Sequence, residues 1–301
     1  MPVSRSRTLL HVHVIRCLYH YHFLWLVLVA EKLSADISER LGEALASWHE
    51  WVPEPHKLPT VEVSLSGHSN HSFKITDGLN HWSLRLNTTE KDPGIDRVSE
   101  LSAIREANMQ GIAPQVVFAT DEVLITEFVD GTNLTLSDLA SVGGLFARIH
   151  GMSVEIAPLD LGTYLQDVAS RTVLDLAVSS CVEKIIEIMP DPGSKVLCHQ
   201  DLLLENIIDT DHGVMVIDWE FARMSDAAFD IAVFSSTYNL DDEQLAKLLS
   251  GYRGNESSMF HRVRDHENIY ALIEILWWQL RGRRLDKKIE SLHRNLFGEP
   301  G

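Results

Sequence analysis

The sequence predicts an α+β chain, with strands gathered in its first half and helices in its second. Three observations carry that reading. Between Thr60 and Asn87, and again from Gln115 to Glu127, short β-rich runs are separated by polar turns, as in antiparallel sheets. From Ser137 onward apolar residues recur at helical spacing. One further hairpin then interrupts the helices: Ile207-Ile208 and Val214 to Ile217 flank the loop Asp209-Thr210-Asp211-His212-Gly213.

The totals narrow the class. The chain has 301 residues, 45% hydrophobic, enough for a sizeable core in one large domain or two lobes. Its 26 basic and 43 acidic residues leave a formal charge of −17, which argues against a nucleic-acid binder, since that would want a basic patch. An acidic cleft would attract a cationic substrate, and surplus acid also serves solubility. Cys17, Cys181 and Cys198 are odd in number and widely spaced, so neither a disulfide framework nor a zinc motif is implied, and a reducing cytoplasm fits.

Residues 1–30 admit three readings. A basic start, Met1 to Arg7, precedes a mostly apolar run from Thr8 to Ala30 that is broken by Arg16 and four histidines. A leader with no part in the fold is preferred over membrane contact through residues 8–30 and over a helix packed on the body. Leu33 to Trp51 places Ile37, Leu41, Ala44, Leu45 and Trp48 on one helical face, and Pro53, Pro55 and Pro59 end it. Val61 to Leu65, Phe73 to Thr76 and His81 to Leu86 read as three strands, the first two joined by the small polar turn Ser66 to Ser72. Gly94 to Gln110 reads as a helix closed by Gly111 and Pro114, and Gln115 to Ala119 and Glu122 to Glu127 as two more strands. Leu139 to His150, one or two helices over Leu159 to Met189, Asp241 to Gly251 and a long helical region over Ser257 to Phe297 complete the second half.

The chemistry concentrates in Val196 to Glu220. Val196-Leu197 reads as a short buried strand running into His199-Gln200-Asp201, with Asn206 five residues on and Asp218 at the end of the following hairpin. That arrangement suits phosphoryl transfer, which asks for a carboxylate to accept a proton from the attacking hydroxyl and for hard oxygen ligands to Mg²⁺. Asp201 is placed for the first task, Asn206 and Asp218 for the second.

His-x-Asp-(four residues)-Asn followed by Ile-Asp-Trp-Glu resembles the catalytic and metal-binding segments of the aminoglycoside phosphotransferase and choline kinase superfamily, closest to its choline/ethanolamine and thiamine kinase-like branch. The resemblance runs over roughly Val61 to Phe297. It implies a bilobal protein kinase-like fold: an N-lobe over 31–130 with a five-stranded antiparallel sheet and one helix, and a larger, mainly helical C-lobe over 131–301. It implies ATP and Mg²⁺ as cofactors and a small-molecule alcohol as acceptor. Ser66, Gly67 and Asn70 would belong to the phosphate-covering loop. Arg85 would hold phosphates with Glu100 as its partner, Glu106 being the second choice. Glu127 and Val129 would meet the adenine through main chain. His199 and Asp230 would support the catalytic loop, and His150 would be structural. Trp219, Glu220, Trp277 and Trp278 would face a cationic acceptor such as choline, ethanolamine or thiamine, because indole faces hold cations well; core packing is the alternative for the last two. The rivals are another small-molecule kinase, such as an aminoglycoside kinase, and a nucleotide-binding pseudokinase.

Overall fold

The computed structural model describes residues 34–52, 57–65, 70–87, 94–190, 193–252 and 256–298. The leader 1–30, Cys17 and the turn residues Ser66 and Gly67 lie outside the described residues.

The first helix, α1 (Ala35–Ala46), is capped by the Ser34 side chain, which accepts from the Ile37 N–H. It buries Ile37, Leu41, Ala44 and Leu45 along one stripe. That stripe covers an antiparallel sheet made of β1 (Thr60–Leu65), β2 (His71–Thr76), β3 (His81–Leu86), β4 (Val116–Ala119) and β5 (Val123–Glu127), in the order β1-β2-β3-β5-β4. Phe73, Ile75, Leu84, Leu86 and Ile125 form the core between sheet and helix. Gly78, at φ 94°, closes the β2–β3 turn.

The helix between β3 and β4, α2 (Arg97–Met109), is capped by Asp96. Its buried residues Ala103, Ile104 and Ala107 do not join the sheet core. They pack with Phe146, Leu197, Val216 and Trp219 in the core of the second half. The Val216 N–H donates to the Ile112 carbonyl at 2.7 Å, just beyond the same helix. Helix α2 thus bridges the sheet, through Glu100 and Arg85, and the core of the second half.

That half contains β6 (Thr132–Asn133), α3 (Leu139–His150), α4 (Leu161–Ser170), α5 (Leu176–Glu187), β7 (Lys195–Cys198), β8 (Ile207–Thr210), β9 (Gly213–Val216), β10 (Arg223–Asp226), α6 (Ala227–Tyr238), α7 (Asp242–Gly251), α8 (Glu256–Leu280) and α9 (Asp286–Phe297). Strands β7 and β10 pair antiparallel, as do β8 and β9. The region 257–297, expected as one helical stretch, is two helices, with Gly282 at φ 74° in the turn between them. Three elements had no counterpart in the sequence reading: β6, β10 and α6. Helix α6 buries Ala227 through Ser235 without interruption, so it has no polar face and no helical stripe to read. Among the described residues, no helix is long and apolar enough to cross a membrane.

Candidate active site

Strand β7 delivers His199, Gln200 and Asp201 into a loop held on every side. Asp230, fully buried at the start of α6, accepts the His199 N–H at 2.9 Å and the Gln200 N–H at 2.6 Å. His150 Nε2 lies 3.0 Å from the same carboxylate, and His150 Nδ1 lies 3.0 Å from the Tyr252 hydroxyl. His199 Nδ1 accepts the Asp201 N–H at 3.3 Å, so its Nε2 carries the proton and donates to the Ile217 carbonyl at 3.1 Å. Burial lowers the His199 pKa, consistent with this neutral tautomer. The Tyr238 hydroxyl accepts the Leu204 N–H at 2.9 Å and closes the loop from its far end.

Asn206 Nδ2 donates to the Asp201 carbonyl at 2.9 Å and to Asp201 Oδ2 at 3.0 Å. The amide nitrogen is thereby engaged and the Asn206 carbonyl oxygen is turned away from it. Burial, and after it the Asp218 charge, push the Asp201 carboxyl well above the usual carboxylate range. Gln200 and Asp218 both take up left-handed backbone, at φ 63° and 62°. Such conformations cost energy in non-glycine residues and gather at functional sites.

The sheet supplies a cation. Arg85 on β3 is buried and forms an ion pair with Glu100 of α2; its Nη1 lies 3.1 Å from Asp218 Oδ1, and its Nε donates to Asn87 Oδ1 at 3.1 Å. Burial opposes its charge, yet Glu100, Asp218 and Glu220 together hold its pKa above the ordinary value. Glu106 lies one helical face away, accepting from Gln110 at 3.0 Å, so Glu100 is the partner. The Asp218 side chain remains 40% exposed. One of its oxygens faces Arg85 and the other is left for a ligand. Asn206 and Asp218 thus offer hard oxygen donors of the kind that suits Mg²⁺.

Two of the expected acceptor contacts are corrected. Trp219 is 1% exposed, its Nε1–H donating to the Val216 carbonyl at 3.0 Å and its ring lying 4.7 Å from that of His199. It is a core residue beneath the catalytic loop. Glu220 is 2% exposed and its Oε2 is already taken, accepting from Asn70 Nδ2 at 2.8 Å and from Arg97 Nη1 at 3.3 Å. It therefore does not display its carboxylate to an acceptor. Arg97 was not singled out in the sequence; an Arg three residues before Glu100 on a helix was the available signal. Asn70 meets Glu220 rather than standing apart in its loop.

Glu127 and Val129 flank Phe128, whose N–H donates to the His81 carbonyl at 3.1 Å. On α8 the aromatic faces carry cations from the chain itself. Arg281 stacks over Trp277 at 3.4 Å from the ring centroid, and Arg283 over Trp278 at 4.6 Å. Lys288 lies 5.9 Å from the Tyr270 centroid and is ion-paired with Glu274.

A five-stranded antiparallel sheet joined to a mainly helical half is a kinase-like fold, and in it Asp201, Asn206 and Asp218 lie near the buried Arg85–Glu100 pair. The chain belongs to the phosphotransferase enzyme family, whose model matches residues 60–266. A thiamine kinase of Salmonella paratyphi B is 26% identical over 185 residues, which span 58% of this chain and 65% of that enzyme's length. The fold is shared with a choline/ethanolamine kinase family protein from Mesorhizobium loti at a TM-score of 0.67 and 21% identity, covering 87% of this chain and 96% of that one. It is also shared with a choline kinase from Streptococcus pneumoniae at a TM-score of 0.64 and 16% identity, covering 87% and 98%.

Proposed function

We propose that this protein transfers the γ-phosphoryl group of ATP to the hydroxyl of a small cationic alcohol, of the choline, ethanolamine or thiamine type. The observation that carries the reading is the approach of two groups: Asn206 bonded to Asp201, and Asp218 paired with Arg85 and through it with Glu100, with the Asp218 charge felt at Asp201. Asp201 is the proton acceptor. Its Oδ2 is held by Asn206, which leaves Oδ1 to take the hydroxyl proton as the oxygen attacks phosphorus. A carboxyl held above its usual pKa suits that task, since it takes up a proton more readily than an exposed aspartate. Arg85, oriented by Glu100, binds phosphate oxygens, and its planar fork fixes the direction of its donors where a lysine ammonium would leave them free to rotate. Asn206 and Asp218 would hold Mg²⁺, which supplies neutralisation of the phosphate charge when bound. Main-chain groups of Glu127 and Val129, set in register by the Phe128 amide, would meet the adenine. Ser66, Gly67 and Asn70 would border the phosphates.

The acceptor class draws support from the affinity of the aromatic faces on α8 for cations. Three aromatic faces there each attract a cationic side chain, and Glu274 adds a carboxylate beside Tyr270. The thiamine kinases among its relatives point the same way.

The test is ADP release with Mg²⁺-ATP and a panel of choline, ethanolamine, thiamine, homoserine and kanamycin. Stimulation by a cationic alcohol, absent in Asp201→Ala, is the expected outcome. Stimulation by homoserine alone would retain the kinase and overturn the acceptor class. No ADP release with any member, despite ATP binding, would favour a nucleotide-binding protein that does not catalyse.

A further inference from the structure

The phosphate end of the site contains a cation that the reaction scheme above does not use. Arg97, in the first turn of α2, donates from Nη1 to Glu100 Oε2 at 2.7 Å and to Glu220 Oε2 at 3.3 Å. Its Nη2 lies 3.5 Å from Asn70 Oδ1, and Asn70 in turn donates to Glu220. The charged groups therefore alternate without a break: Asp218, Arg85, Glu100, Arg97, Glu220. The two ends of this series lie two residues apart in one loop, and the middle three come from β3 and α2.

Glu220 is the unusual member. It is buried, it sits beside the Asp218 carboxylate, and the cations in reach are Arg97 and Arg85. A buried carboxylate without a partner is costly, so one of the two must serve it. If Arg85 served it, the guanidinium that faces Asp218 would be drawn away from the phosphates. We propose that Arg97 is a positioning residue for nucleotide binding: by pairing with Glu220 it keeps that carboxylate off Arg85, and by pairing with Glu100 it keeps Arg85 turned toward Asp218. The proposal rests on the kinase reading.

Arg97 is not what docks the helix. Asp96 pairs with Arg223 at 3.4 Å, Ser99 Oγ accepts the Ala157 N–H at 3.3 Å, and Ala103, Ile104 and Ala107 lie in the second-lobe core. These contacts hold α2 to the second lobe when Arg97 is replaced. Arg97 can therefore be changed with the helix in place, and the effect read on Arg85.

The experiment is a double-mutant cycle on the full chain, using displacement of a fluorescent ATP analogue by Mg²⁺-ATP, with the thermal midpoint of each variant as control. Arg97→Gln is expected to weaken Mg²⁺-ATP about tenfold, the size of one charge-assisted contact. In the Glu220→Gln background the same change is expected to cost little, because no stray carboxylate is left to capture Arg85. Arg97→Lys, which keeps the charge but not the fork, should lie between wild type and Arg97→Gln. Equal losses with and without Glu220→Gln, or a lowered thermal midpoint with unchanged affinity, would overturn the positioning role and leave the kinase reading intact. Wild-type protein that does not bind Mg²⁺-ATP at all would overturn both.

Discussion

The two sides of the candidate site are held together by different physics. The catalytic loop, His199 to Asn206, is held within one lobe by hydrogen bonds that its backbone N–H groups donate to Asp230, to His199 Nδ1 and to the Tyr238 hydroxyl. The phosphate side is a series of alternating charges that crosses between lobes, from Asp218 through Arg85 and Glu100 to Arg97 and Glu220. A loop fastened by short directional bonds keeps its shape whether or not a ligand is present. An ion-pair series can redistribute when a polyanion such as a nucleotide arrives, because each cation has more than one carboxylate in reach. The difference assigns rigidity to the side of Asp201 and adjustability to the side of Arg85.

The largest effect should come from the rigid side. Asp201→Asn removes the proton acceptor, and the rate with a productive acceptor should fall at least ~10²-fold, with nucleotide binding retained. The same variant should be more stable than wild type in metal-free buffer at pH 7. The sign follows from the raised pKa of Asp201 in the folded state: its contribution to stability is fully present below the unfolded carboxylate pKa of about 3.9 and is lost as pH rises through the folded value. Thermal midpoints should therefore separate at pH 7 and converge near pH 3. Equal midpoints at both would mean that Asp201 is not held in an unfavourable charge environment.

Asp230→Ala should be the most destabilising single change on this side, by about 3 kcal/mol, because it leaves two buried backbone donors and His150 without their acceptor. The urea midpoint measures it. Arg85→Lys, on the adjustable side, should instead leave stability nearly unchanged and raise the KM for ATP about tenfold, since a point charge cannot serve Glu100 and Asp218 together. A large stability loss there would erase the distinction between the two sides. The smallest effect belongs to Arg281→Ala, whose stack on Trp277 is solvent-facing and worth about 0.5 kcal/mol.

Sequence alone placed the five sheet strands and most helices, because alternation and helical spacing survive wherever an element has one wet face. It failed at α6, where burial on all sides removes the pattern, and at β6, which is two residues long. The Asp201, Asn206 and Asp218 cluster was legible because a strand, a fixed spacing and a hairpin confine it to some twenty residues. Arg85 and Glu100 were legible as a pair, which the structure brings together. Trp219 and Glu220 were set beside a cationic acceptor on the resemblance alone, and nothing in the residues themselves reports which way the loop turns. The left-handed residue at 218 turns the chain, so that Trp219 enters the core and Glu220 meets α2. Arg97 went unread because its role depends on Glu220, 123 residues away in sequence.

That turn also decides how position 218 can be probed. Asparagine tolerates a positive φ at least as well as aspartate does, whereas alanine carries a penalty of roughly 1 kcal/mol there. An alanine scan would thus charge to metal binding a loss that belongs partly to the backbone. Asp218→Asn isolates the negative charge, Asp218→Gly relieves the chain while deleting the side chain, and the gap between glycine and alanine is the conformational share.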